Sequence, residues 1–187
     1  MRAANALLAL TLLAAPLVAA DYTFDLKPDS TKIQWTLGDV LHTVHGTFNL
    51  KRGTINLNTD TGKASGQVVV DVASGQSGSE ARDSRMHGNV LESKKYPEAM
   101  FTPSRFEGTL NLSGSSNVRV FGTFTIHGAA HEISMDVQTT ATEDQMRATM
   151  TFDIPYVAWG MKDPGNFLLK VNKTVQMSIE TIAPLRK

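Results

Sequence analysis

The chain has 187 residues, no cysteine, and 18 basic (Lys and Arg) against 18 acidic (Asp and Glu) side chains. The absence of cysteine excludes a disulfide framework, a thiolate metal site, a thiol nucleophile and a lipid-modified cysteine. The balanced charge argues against nucleic acid as a partner, because phosphate binding requires clustered Lys and Arg.

The N-terminus has the pattern of an export signal. Met1-Arg2 is followed by an uncharged run over residues 3–20 that ends in small side chains. A short basic segment followed by an apolar one is typical of a signal peptide. We therefore expect cleavage after Ala20, which leaves residues 21–187 as one exported, periplasmic domain.

A retained transmembrane anchor is the alternative for this segment, because eighteen uncharged residues approach the length that crosses a bilayer. Asn5 and Pro16 interrupt the run and favour the signal peptide. We therefore expect no stable membrane insertion of the mature protein.

Alternation of apolar and polar side chains dominates the rest of the chain and indicates strands, whose successive side chains point to opposite faces. Residues 145–154 show it most clearly, with apolar side chains at every even position from Met146 to Ile154. The same pattern recurs at Ile33/Trp35/Leu37, His42 to Leu50, Ile55/Leu57, Val68/Val70/Val72, Leu110/Leu112, Val118 to Ile126, Ile133/Met135/Val137 and Val175/Met177/Ile179. About nine short strands predict an all-β sandwich or barrel, and closure into a barrel is favoured because it removes exposed edges.

Two segments depart from this alternation. Residues 79–91 carry a charged and polar run with a few apolar side chains, which predicts a short helix with Ser79 as its N-cap. Residues 159–166, from Trp159 to Asn166, are irregular and predict a long loop before the last strand.

Histidine is the residue type that would indicate a metal or haem site. His42 and His45, three apart on one strand, would point to opposite faces and could not chelate one ion. His127 and His131 flank a turn where they could meet, but they lack enough neighbouring ligands, so surface and turn histidines are favoured over a metal site.

The sequence offers no support for catalysis. It contains no Gly-x-Ser-x-Gly motif and no glycine-rich phosphate loop. Glu80 and Asp83 lie among arginines, an arrangement more typical of surface ion pairs than of acid–base catalysis. We therefore expect a protein that is not an enzyme, with no catalytic residue, no metal and no cofactor other than a bound lipid.

Methionine is prominent on the expected apolar faces, and its unbranched, polarizable side chain adapts to irregular apolar guests. The alternative is that these methionines fill an ordinary core, since alternation does not distinguish a hollow barrel from a filled one. The methionines concerned are Met100, Met135, Met146, Met150 and Met177.

Five blocks of the sequence resemble the YceI-like family of periplasmic, lipocalin-like proteins. The most specific are the Arg82 to His87 segment, with its Arg-Asp pair, and the following Lys95 to Phe101 segment, with its Tyr-Pro pair. Three further blocks occur in the same order as in the family. They are Phe24 to Trp35, His45 to Phe48, and Val120 to Gly128 leading into residues 133–137. The resemblance covers essentially all of the mature chain.

The resemblance implies an extended eight-stranded antiparallel barrel whose long cavity binds a polyisoprenoid or similar amphiphile, such as a quinone precursor or a fatty amide. We therefore expect an exported carrier. The side chains expected to line the cavity are Trp35, Phe48, Val70, Met100, Val120, Phe124, Met135, Met150, Phe152 and Met177.

Arg82, Asp83 and His87 are the candidates for contact with the polar head group of this ligand. The alternative, which is favoured for Arg82 and Asp83, is that they only fix the helix to the barrel through charge-assisted hydrogen bonds. A rival function is that of a stress-response accessory protein that acts through surface contacts and has a filled barrel. The sequence leaves open whether two barrels pair as a homodimer.

Overall fold

The computed structural model describes residues 21–38, 42–165 and 170–186. The expected signal peptide, residues 1–20, lies outside these ranges. The described chain forms nine strands, which are β1 (Asp21–Leu26), β2 (Thr31–Gly38), β3 (Thr43–Asn58), β4 (Ala64–Gln76), β5 (Glu98–Glu107), β6 (Ser115–Ile126), β7 (Ala129–Ala141), β8 (Gln145–Ile154) and β9 (Val175–Pro184). A short helix, α1 (Glu80–Arg85), lies between β4 and β5.

Eight of the strands close into a barrel. From β4 the hydrogen-bonded order runs through β5, β6, β7, β8, β9, β2 and β3, and β3 then pairs with β4. All of these pairings are antiparallel. The predicted eight-stranded antiparallel barrel with one short helix is therefore confirmed.

The ninth strand, β1, extends the barrel wall beyond β2. Both strands pair with the same edge of β3, β1 with its second half and β2 with its first. A 3₁₀ turn at Pro28–Ser30 separates them, where proline supplies no backbone N–H for a ladder. The backbone N–H of Thr23 also bonds the carbonyl oxygen of Arg186 (2.8 Å), so β1 continues the ring at this end.

Three details of the strand prediction were wrong or incomplete. The predicted strands His42 to Leu50 and Ile55/Leu57 form one strand, β3, which begins at Thr43, one residue after His42, and stays continuous through register shifts after Thr47 and Leu50. Leu110 and Leu112 lie in the β5–β6 connection and pack over one end of the barrel. Their alternation therefore reflects a loop that covers the core. The alternation pattern also missed β1 and β5.

The predicted helix over residues 79–91 is only partly regular. α1 ends at Arg85, and a π-helical turn continues over Met86–Val90, where Gly88 and Asn89 are exposed. The Ser79 side chain makes no capping hydrogen bond. No helix within the described residues has the length and apolar character needed to cross a membrane.

Candidate functional site

The interior of the barrel divides into two halves. The filled half lies toward the β3–β4, β5–β6 and β7–β8 turns. The mouth half lies toward α1, the β6–β7 turn and the β8–β9 connection. Two buried clusters occupy the filled half, consisting of Ala64, Phe106, Val118, Met135 and Val137 in one and Phe24, Ala141, Met146 and Ala183 in the other.

The mouth half encloses a cavity of about 470 Å³. Its wall takes side chains from β2, β3, β4, β5, β6, β8 and β9. Most of these are apolar, among them Ile33, Trp35, Leu37, Val44, Phe48, Val70, Val72, Ala99, Phe124, Ile126, Phe152, Ile154, Val175, Met177 and Ile179. Such a concave apolar space is typical of a site for a hydrophobic small molecule.

Small residues beside large ones help to keep this space open. Trp35 pairs with Gly46 on the neighbouring strand, and a Cβ at Gly46 would lie only 2.2 Å from the Trp35 ring. The indole therefore lies against the backbone of the wall. Ala99, which pairs with Val70, also leaves room on the opposite wall.

The segment that contains α1 covers the cavity mouth and is fixed by hydrogen bonds to the end of β4. Asp83 Oδ1 accepts bonds from the backbone N–H (2.9 Å) and the hydroxyl (2.5 Å) of Ser77. Arg82 Nε donates to the same hydroxyl (2.7 Å), and His87 Nε2 donates to the Gly75 carbonyl oxygen (2.8 Å). This anchoring places Met86 and the Arg82 and Arg85 side chains on the cavity wall.

The charge on the cavity wall is positive. Arg82 and Arg85 are the only charged side chains among the described residues that line the cavity. Arg82 is held by Ser77, whereas Arg85 makes no hydrogen bond or ion pair within the described part of the chain. Arg85 is therefore a cation at the mouth that is available to a ligand.

The described residues of the connection between β8 and β9 form the other side of the mouth. Among them, the buried Tyr156 and Met161 line the cavity. The Tyr156 hydroxyl donates to the Asn172 carbonyl oxygen (2.8 Å). Burial, with a smaller contribution from the negative charge of Asp163, raises the pKa of Tyr156 to about 12, so its hydroxyl is neutral at physiological pH.

Trp159 of the same connection packs into the barrel end through ring contacts. It stacks on His131, with ring centroids 4.0 Å apart and ring planes 6° apart. It also lies against Phe124, at 6.1 Å between ring centroids. The predicted irregular segment thus covers the cavity, and its last predicted residue, Asn166, lies outside the described residues.

The β6–β7 turn is joined to the segment after α1 by His127. His127 and Gly128 both have positive φ (+53° and +78°), as a tight two-residue hairpin turn requires. His127 Nε2 donates to Glu92 Oε2 (2.7 Å), and its ring packs on Tyr96 with centroids 4.4 Å apart. This contact fixes the position of Glu92 and therefore of the preceding residue, Leu91, which lines the cavity.

The histidines do not assemble into a metal site. His127 and His131 have separate partners, Glu92 and Trp159, and His45 Nδ1 lies 3.0 Å from the Thr36 hydroxyl. Within residues 21–38, 42–165 and 170–186, no three His, Asp or Glu side chains are placed to hold a metal ion.

The structure brings seven of the thirteen predicted ligand-binding residues together on the cavity wall: Trp35, Phe48, Val70, Phe124, Phe152, Met177 and Arg82. Val120, Met135 and Met150 belong to the filled half. Met100 follows Ala99, which faces the cavity, so strand alternation places it on the outer face. Asp83 and His87 bond the end of β4 and do not line the cavity.

Sequence reasoning missed several wall residues. Ile33, Val72 and Ile154 follow the same alternation as the predicted ones, and counting two residues along the strand from Trp35, Val70 and Phe152 would have found them. Tyr156 and Met161 come from irregular chain, where periodicity carries no information about facing.

Comparison with known proteins gives one family and one fold. The model of the YceI-like domain matches residues 24–183. Two similar solved structures are a polyisoprenoid-binding domain from Saccharophagus degradans implicated in plant cell wall breakdown (17% identity, 88% of this chain and 98% of that one, TM-score 0.68) and BcnA from Burkholderia cenocepacia (19%, 85% and 99%, 0.70). A third is a YceI protein from Campylobacter jejuni (18%, 79% and 88%, 0.63). No curated protein matches the sequence.

Proposed function

Because the chain belongs to the YceI-like family, we propose that it binds a polyisoprenoid or similar long-chain amphiphile inside its barrel and stores or transports it without catalysis. The observation that carries this proposal is the apolar cavity of about 470 Å³ in the mouth half. The similar domain from Saccharophagus degradans is described as polyisoprenoid-binding, which supports the same class of ligand here.

The energetics of burial support this function. Each methylene removed from water contributes about 0.8 kcal/mol, so three or four five-carbon units contribute on the order of 10 kcal/mol. Association costs about 4–15 kcal/mol. A chain that fills the cavity should therefore bind tightly, whereas a single five-carbon unit should bind weakly.

The place of action follows from the ligand and from the expected signal peptide. A long apolar chain is poorly soluble in water, so its passage through an aqueous compartment requires a carrier that covers it. We propose that the mature protein does this in the periplasm after cleavage behind Ala20.

The charge at the mouth favours an anionic head group. Arg85 lines the cavity without a protein partner, and the wall carries no acidic side chain among the described residues. A guanidinium binds a carboxylate or phosphate through charge-assisted hydrogen bonds. We therefore place the head group of the ligand at Arg85, with Arg82 as a second, already anchored cation.

The rival function, an accessory protein that acts only through its surface, predicts a filled barrel. The mouth half does not meet that expectation, because its wall encloses free space. A protein that needs only its outer surface gains nothing from a hollow interior, since unfilled space removes packing contacts.

The proposal is tested on protein purified from its native periplasm. Native mass spectrometry should show a mass above that of the polypeptide, and organic extraction should release an amphiphile with one long apolar chain. The same sample after unfolding and refolding without lipid serves as the empty control and should bind added farnesoic acid. Native protein without lipid, together with no binding of prenyl chains by the empty control, would contradict the proposal.

A further inference from the structure

We propose that the filled half of the barrel limits the buried part of a ligand chain to about fifteen carbons, so that carbons beyond this number add little affinity. This inference rests on the proposed function and specifies its substrate class.

The cavity runs along only part of each strand. On β2 its lining extends from Ile33 to Gly38, which is about 16 Å along a strand that rises about 3.3 Å per residue. On β6 the lining residues are Phe124 and Ile126, whereas Val118 belongs to the filled half. Strands in such barrels tilt by about 35–45°, so the depth along the barrel axis is about 12 Å.

A floor of large side chains closes the inner end of the cavity. Phe101, Ile133 and Phe152 pack against both the mouth-half cluster and the filled-half cluster. Behind them lie Phe106 and Met135, each only 6% exposed. A longer chain could pass this floor only by displacing close-packed side chains. Such forced insertion into a packed core is energetically unfavourable.

The cavity volume limits how many carbons can be buried. A water molecule takes about 30 Å³ in the liquid, and a methylene group is of similar size. A cavity of about 470 Å³ therefore holds on the order of fifteen such groups, or about three isoprene units. Carbons beyond that number remain at the mouth, where they are only partly removed from water.

Affinity should therefore depend on chain length in two regimes. While the cavity fills, each added methylene should tighten binding about fourfold. Once it is full, each added methylene should change the affinity by less than about 1.5-fold, because little further apolar surface is buried. The break between the two regimes should fall near sixteen carbons.

The experiment is a titration of the lipid-free protein with straight-chain fatty acids of even length from 8 to 22 carbons, below their micelle-forming concentrations. Isothermal titration calorimetry gives Kd for each. A break between about 14 and 18 carbons supports the proposal. A constant slope through 22 carbons would overturn it and leave the proposed carrier function intact, whereas absence of binding at every length would contradict the carrier function itself.

Two matched variants test the position of the floor. Met135→Ala removes a buried side chain directly behind the floor, and Met146→Ala makes the same deletion in the cluster farther from the cavity. The break should move by about three carbons, the size of the deleted group, in Met135→Ala only, because the floor side chains can relax into the space behind them. An unmoved break in folded Met135→Ala, or an equal shift in Met146→Ala, would overturn the placement of the floor. If Met135→Ala does not fold, the wild-type series still decides the length limit.

Discussion

In the filled half of the barrel, large side chains meet across neighbouring strands. Val118 pairs with Val137, which pairs in turn with Met150, and Val120 pairs with Met135. In the mouth half, Trp35 pairs with Gly46 on one side and with the large Met177 on the other. The same strands thus enclose a packed core at one end and free space at the other.

The two ends are also covered differently. Leu110 and Leu112 of the β5–β6 connection pack directly onto buried residues of the filled half. At the mouth, α1 and the β8–β9 connection are held by polar contacts such as those of Ser77 and Tyr156 and by apolar packing of Tyr156 and Met161 in the mouth-half cluster. The described residues of this cover thus pack on the cavity end and are absent from the two filled-half clusters.

The largest expected difference between the halves is the effect of shortening a phenylalanine. Phe106→Ala should lower the free energy of unfolding by about 3–5 kcal/mol, because it opens a new cavity in a close-packed cluster. Phe48→Ala should cost only about 1–2 kcal/mol, since the space it leaves joins a cavity that already exists. Urea unfolding of both variants gives the comparison, and equal losses would show that the mouth half is as tightly packed as the filled half.

A second test enlarges a buried alanine in each half. Ala99 and Ala141 are both 4% exposed, but only Ala99 lines the cavity. Ala141→Leu should overpack the core and cost about 1–3 kcal/mol. Ala99→Leu should change stability by less than about 1 kcal/mol, while it takes up space for about three ligand carbons and weakens hexadecanoate binding ten- to fiftyfold.

Urea unfolding and calorimetric titration of the two alanine variants separate stability from binding. Ala141→Leu serves as the control for binding, since its cluster does not touch the cavity. A large loss of stability in Ala99→Leu, without loss of affinity, would mean that the cavity is closed in solution.

The sequence was sufficient to predict the barrel and much of its inner face. The alternation of residues 145–154 predicted a strand with one dry face, and β8 spans these residues. The resemblance to the YceI-like family, carried by the Arg-Asp and Tyr-Pro segments, is confirmed by the match over residues 24–183. Alternation was reliable here because one buried face fixes the register of a strand.

The division of the interior was not predictable in the same way. Met135 and Met177 have the same type of alternation, yet Met135 lies in the filled half and Met177 lines the cavity. Whether a methionine lies in the filled half or on the cavity wall depends on its position along the barrel axis. That position follows from strand pairing and stagger rather than from local sequence. The roles of Asp83 and His87 likewise depend on their contacts with Ser77 and Gly75, which are formed only in the folded chain.

A smaller effect is expected at the mouth, where charge rather than packing distinguishes the two ends. Arg85→Gln should weaken hexadecanoate binding about five- to tenfold, because an exposed charge-assisted contact contributes on the order of 1 kcal/mol. Hexadecanol should bind both proteins equally. Arg105→Gln, which removes a cation paired with Glu107, is the matched control and should change neither affinity. An equal loss for acid and alcohol would assign Arg85 a packing role through its aliphatic stem.

The smallest expected effect is the response of the mouth cover to alkaline pH. The folded state raises the pKa of Tyr156 from 10.0 to about 12, so it holds the phenolic proton more tightly than the unfolded chain does. The resulting stabilisation is complete below pH 10 and is lost as the pH rises through about 12. Tyr156→Phe has no such proton, so the difference in unfolding free energy between wild type and variant should shrink over this pH range. Urea unfolding at intervals from pH 8 to 11.5 measures that difference, and a constant value would mean that Tyr156 is open to water and that the β8–β9 connection does not seal the mouth half.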